Sequence, residues 1–205
     1  NGAYRDFRHP LDYIGLDGGG GVGAGPGLAI GAALALKGSG RISLAIMGDG
    51  DFLMGVTALW TAVHYGLPCL TIVANNRSFY NDELHQERVA KSRGRPVANK
   101  WIGQRIRDPD IDLAAMARAQ GGYGIGPVAS TAALADALAE GLRLAAEGAV
   151  VVIDARVVPR NHCECCCFSA SRRTRSAARA QELRASPPSR QIVRAARDYS
   201  KNIRT

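Results

Sequence analysis

"RISLAIMGDGDFLMGVTALW", residues 41–60, holds the decision about the fold. Residues 41–47 form a short β-type run that stops at Gly48. Beyond the turn, Leu53, Val56, Trp60 and Val63 recur at helical spacing, so one amphipathic helix is expected there. Gly66-Leu67-Pro68 ends it, with glycine and then proline past the last turn. Between strand and helix stands Gly48-Asp49-Gly50. Its two glycines let the backbone turn sharply and come close to a ligand. Asp49 offers a hard oxygen. The helix opens near Asp51-Phe52, where free N–H groups can meet phosphate oxygens.

A second β-type run, "CLTIVA", follows at residues 69–74 and leads into Asn75-Asn76. Asn76 lies 27 positions after Asp49. Its amide oxygen is a second hard, neutral ligand. If the two strands are neighbours, both oxygens face one crevice. Magnesium takes octahedral oxygen coordination and commonly binds together with substrate phosphates. Asp49, Asn76 and one main-chain carbonyl would supply protein ligands for such an ion.

The rest of the chain repeats the alternation. A glycine loop runs into a small-residue helix at residues 28–36. Residues 75–109 are polar and irregular, with a short helix around residues 82–91; so long a segment in a compact domain is usually functional. A helix is expected at residues 110–120, then a turn and short strand at "GGYGIG". Leu134, Leu138 and Leu142 form a helical stripe. "AVVVIDA", residues 149–155, is a continuous apolar strand of the kind covered on both faces. Together these predict an α/β fold: a doubly wound, mostly parallel sheet with helices on both faces and ligands at the carboxyl ends of its strands.

"GDG" and "NN" at this spacing resemble the cofactor motif of thiamine diphosphate enzymes. "GGGVGAGPGLAIGAALAL", "GDGDFLMGVTALWTA" and "YGLPCLTIVANNRSFYND" are similar to the diphosphate-binding domain of the acetolactate synthase and benzoylformate decarboxylase group. The likeness extends over residues 11–159. It implies thiamine diphosphate and Mg²⁺ as cofactors. It implies that Asp49 and Asn76 bind the metal by side-chain oxygens, and Ser78 by its carbonyl. Gly48, Gly50 and Asp51 would border the diphosphate. Val22 would wedge under the thiazolium, and the Gly20 carbonyl would accept from the aminopyrimidine. Asp51 departs from the small neutral residue common in the family. A carboxylate beside a diphosphate is repelled, so its side chain is expected to point away while its N–H is used. The implied activity is decarboxylation or carboligation of a 2-oxo acid. The implied assembly is a dimer or tetramer, with a catalytic glutamate on a separate pyrimidine-binding domain. No segment here matches that domain, and no initiator Met is present. The expectation is therefore residues 1–159 as one domain of a longer or split enzyme, with little activity alone.

Net charge is +8, which first suggests nucleic acid. The excess is confined to residues 160–205, with 11 Arg+Lys against 3 Asp+Glu; the first 159 residues hold 15 of each. The body thus lacks a basic footprint. A basic tail contacting nucleic acid through phosphates, on a non-catalytic module, is the rival reading. The preferred one is a disordered or non-native Cys/Arg/Ser-rich tail. "HCECCCF" has contiguous cysteines, whereas structural zinc sites use separated pairs. Cys69 reads as a buried thiol, no apolar run reaches membrane length, and the body reads as cytoplasmic. Gly18, Gly20 and Gly23 fit G-x-G-x-x-G, but a poor strand precedes them and no acidic residue follows about 20 positions on. His64 reads as a packed or rim histidine. Glu83 and His85 could meet substrate, with a solvated helix face as the expected alternative. Trp101 could border the pocket or pack in the core.

Overall fold

A computed structural model describes residues 8–15 and 21–158. These belong to the first of two units into which the chain divides, Asn1–Pro159 and Arg160–Thr205. Gly20 and the basic, cysteine-rich tail lie outside the described residues.

Strands β1 (Ser43–Gly48), β2 (Cys69–Asn75), β3 (Tyr123–Val128) and β4 (Val150–Arg156) form one sheet in the order β1-β2-β4-β3. Every pairing is parallel. Around them run α1 (Ala24–Ala35), α2 (Asp49–Gly55), α3 (Ala58–His64), α4 (Tyr80–Ser92), α5 (Leu113–Ala119) and α6 (Thr131–Ala146). Strand alternation divides the core in two. Val150 and Val152 of β4 join Cys69 and Val73 of β2 in a cluster with Ile30, Phe52, Leu59 and Leu113, from α1, α2, α3 and α5. Val151 and Ile153 join Leu70 in a second cluster with Ala137 and Ala145 of α6. Helices therefore cover both faces of a doubly wound sheet. Among the described residues no helix is long and apolar enough to cross a membrane.

Two expected helices differ from the structure, each because of a partner distant in sequence. The small-residue helix begins at Ala24 rather than near residue 28. The Asp51 carboxylate accepts from the Gly23 and Gly25 N–H groups at 2.5 and 3.3 Å, acting as an N-cap from another helix. The single helix after Gly50 is instead α2 and α3, with Val56-Thr57 between them. There Leu59 N–H donates to the Val56 carbonyl and Trp60 N–H to that of Thr57, a tightened turn. The chain is drawn close to α1 at this point: a Cβ on Gly55 would lie 2.5 Å from the Gly23 carbonyl oxygen.

The apolar stripes shift accordingly. Phe52, Val56, Leu59 and Ala62 are buried, while Trp60 is 55 % exposed and stacks on His64 at 4.7 Å. On α6 the buried positions are Ala137, Gly141 and Ala145, with Leu134 and Leu138 beside them and Leu142 exposed. Small residues win because the helix sits close: a Cβ on Gly141 would be 3.0 Å from Leu70 Cδ1 and 3.1 Å from Ile153 Cδ1.

Candidate cofactor and metal site

β1 and β2 are adjacent and aligned at their carboxyl ends, with Gly48 opposite Ala74. That register puts the β1–α2 turn beside Asn75-Asn76. Asp49 is buried, and its two oxygens accept main-chain N–H groups, Gly50 at 3.0 Å and Ser78 at 3.1 Å. The Asn76 amide oxygen accepts from the same Ser78 N–H at 2.9 Å. The acidic and amide oxygens thus share one donor, although 27 positions separate their residues.

Electrostatics at Asp49 are unbalanced. Burial pushes its carboxyl above the ordinary value, and the amide donors pull it back only in part. Among the described residues no lysine, arginine or histidine forms an ion pair with it. A buried carboxylate without a counter-charge is costly unless a cation is bound or the group is protonated. Gly50 is obligatory for packing: a Cβ there would lie 2.2 Å from Phe79 Cε1.

Asn75, Arg77 and Ser78 shape the second loop. Asn75 is buried; its amide nitrogen donates to Asp154 Oδ1 at 2.8 Å and its oxygen accepts from Arg77 N–H at 3.1 Å. Arg77 adopts a left-handed conformation, φ 57°, which turns the chain so that Ser78 N–H reaches Asp49 and Asn76. Ser78 is buried, and its hydroxyl donates to Glu83 Oε1 at 2.5 Å. The long polar segment then returns to this loop. Ser78 bridges Arg105 in antiparallel fashion, Phe79 N–H donates to the Gln104 carbonyl, and Ile106 N–H to that of Arg77. A cleft of about 230 Å³ opens here, lined by Asn76, Arg77 and Ser78 of the loop with Tyr80, Glu83, Arg105 and Arg107.

The predicted residues sort as follows. Gly48, Asp49, Gly50, Asn76 and Ser78 meet at one place. Gly50 N–H turns back onto the Asp49 carboxylate. Asp51 sends its carboxylate to the α1 N-terminus. Val22 is half exposed, one residue before the left-handed Gly23 that Asp51 holds. His64 is exposed and lies between Trp60 and Tyr65. His85 is exposed as well. Glu83 corrects the solvated-face expectation: it is buried, tied to Ser78, and 3.8 Å from Arg105. Trp101 is partly exposed and carries the Arg105 guanidinium over its ring at 5.0 Å. The reading missed Asp154, whose signal was a lone acid inside an otherwise apolar strand.

A doubly wound parallel sheet with an Asp and an Asn converging from adjacent strand ends belongs to the class of α/β domains that take ligands at the carboxyl ends of their strands. Within that class the sequence profile "Thiamine pyrophosphate enzyme, C-terminal TPP binding domain" matches residues 2–155, and this chain belongs to that family. Benzoylformate decarboxylase of Pseudomonas aeruginosa is 30 % identical over 128 residues, covering 58 % of this chain and 20 % of that protein. The structure of a thiamine diphosphate-dependent 4-hydroxybenzoylformate decarboxylase from Rhodococcus jostii RHA1 matches with TM-score 0.52 and 25 % identity, over 69 % of this chain and 24 % of the other. Benzoylformate decarboxylase from Polynucleobacter necessarius shares the fold, with TM-score 0.53 at 24 % identity, over 68 % and 24 % of the two chains. The chain therefore spans about a fifth to a quarter of the length of these relatives.

Proposed function

We propose that this chain is the diphosphate-binding domain of a thiamine diphosphate- and Mg²⁺-dependent enzyme that decarboxylates a 2-oxo acid or joins it to a second carbonyl, as acetolactate synthase-like carboligases do. The observation that carries the reading is the convergence of Asp49 and Asn76 oxygens on the Ser78 N–H, at the carboxyl ends of neighbouring parallel strands.

The donor set suits magnesium. It is one carboxylate and neutral oxygens, the hard ligands that Mg²⁺ takes in company with phosphate. In this reading Asp49 and Asn76 hold the ion by their side chains and Ser78 by its carbonyl. The ion supplies the counter-charge that buried Asp49 lacks. Gly48, Gly50 and Asp51 border the diphosphate through the backbone. Asp51 keeps its negative charge away from the phosphates by spending it on α1. Val22 supports the thiazolium and the Gly20 carbonyl the aminopyrimidine. Thiamine diphosphate, when bound, supplies the electron sink that decarboxylation needs.

The activating glutamate comes from a pyrimidine-binding domain, in the same polypeptide or on a partner in a dimer or tetramer, in a cytoplasmic setting. Similarity to benzoylformate decarboxylases supports a lyase; carboligation is the finer alternative. Calorimetric titration with thiamine diphosphate and Mg²⁺ tests the cofactor reading. Binding is expected for the wild type and loss of at least about tenfold for Asp49→Ala, since a directly bound charge is removed. Equal binding by both would overturn it.

A further inference from the structure

Asp154 stands inside the sheet on β4, next to β2, with no exposed surface. Gly126 of β3 packs so tightly there that a Cβ would lie 2.7 Å from the Asp154 carbonyl oxygen. Its Oδ1 accepts from the Asn75 amide, and its Oδ2 has no hydrogen-bond partner among the described residues. Burying a carboxyl group in an apolar strand for one hydrogen bond is a poor way to stabilise a sheet; an apolar residue of similar size would serve better.

The bond has another use. Asn75 has one face that donates and one that accepts, and rotating its amide would exchange them. Only with its nitrogen toward an acceptor does its oxygen meet Arg77 N–H. That contact holds the left-handed turn at Arg77, and the turn aims Ser78 N–H at the Asp49 and Asn76 oxygens. The chain of contacts is continuous from β4 to the loop.

We infer that Asp154 is a positioning residue: by accepting from Asn75 it sets the amide that shapes the Asn76–Ser78 loop and so sets its affinity for a divalent cation. The inference rests on the metal reading above and goes beyond it, since Asp154 touches no ligand oxygen.

Binding of Mn²⁺, an oxygen-preferring octahedral ion visible by electron paramagnetic resonance, is the test, made on the full 205-residue chain with thiamine diphosphate present. Asp154→Leu removes the acceptor and is expected to weaken Mn²⁺ binding by about 10- to 100-fold, the range for residues that orient metal ligands. Asp154→Asn keeps a carbonyl oxygen for Asn75 and is expected to stay within about threefold of wild type, well short of that range. Asn75→Ser cannot span from Asp154 to Arg77 and should copy the Leu variant; it decides the matter if Asp154→Leu does not fold. Folded Leu and Ser variants that both bind like wild type would overturn the inference, as would equal losses for Asp154→Asn and Asp154→Leu. Asp49→Asn separates the two levels: if it leaves Mn²⁺ binding unchanged, the metal reading falls and takes this inference with it. If it abolishes binding while the Leu and Ser variants do not weaken it, only the role of Asp154 fails.

Discussion

At the scale of single residues two buried carboxyl groups stand out, Asp49 just past the end of β1 and Asp154 within β4. Both are buried, and both are pushed above the ordinary value of 3.8, chiefly by loss of solvent. For Asp154 the Asn75 hydrogen bond and Arg156 oppose that shift, and Asp112 adds to it. The sign of the linkage follows. A raised acid holds its proton in the folded chain at pH values where the unfolded chain has released it. Its favourable contribution is therefore complete below about 3.8 and declines as pH rises through the folded value. Asp154→Asn has no such group. In metal-free urea unfolding at pH 4 and pH 7, the variant should gain stability relative to wild type as pH rises. A variant-minus-wild-type difference that stays flat, or that falls as pH rises, would contradict the buried state of Asp154. The convergence of Asp49 and Asn76 was legible in the sequence because both follow strand ends and glycines flank Asp49. Asp154 and Glu83 were harder to assign because their roles depend on Asn75 and Ser78, and no local pattern announces such a pairing.

At the scale of elements, the strands were readable from their apolar runs to within a residue or two. The helix boundaries were less so, and α1 shows why. Its start is set by Asp51, 26 and 28 positions beyond the two amides it accepts from. A local reading sees only glycines and starts the helix late. In the proposed site the same bond accounts for an acid where a diphosphate would otherwise repel it. Asp51→Ala should therefore lower the stability of the cofactor-free chain by about 1 kcal/mol, the usual value of an N-cap. Chemical unfolding measures it; a change near zero would show that the α1 terminus needs no carboxylate. Gly25 is bound to the same arrangement, since a Cβ there would lie 1.9 Å from Asp51 Oδ2. The split between α2 and α3 was equally hidden, because the close approach of Gly55 to Gly23 is a tertiary event.

For the whole molecule, the layered α/β architecture followed from the alternation of strand and helix, but the order β1-β2-β4-β3 did not. Sequence periodicity says which face of a strand is apolar, not which strand lies beside it. β1 is an edge of the described sheet and presents Leu44 and Ile46 at 51 % and 59 % exposure. Such an apolar face suits contact with a further domain or partner, which the proposed function requires. The chain alone should bind cofactor yet release no CO₂ from benzoylformate or pyruvate, and adding a pyrimidine-binding domain should bring turnover. Turnover by the chain alone would contradict this division of labour.

The proposed metal site is tested most directly by the position a cation takes. Crystals grown with thiamine diphosphate and Mn²⁺, measured at the manganese absorption edge, locate the ion directly. The expected result is one anomalous peak within about 2.3 Å of an Asp49 carboxylate oxygen and the Asn76 amide oxygen, close to the spacing of hard octahedral ions. Bound cofactor with the peak elsewhere, or with neither residue as a ligand, would contradict the account.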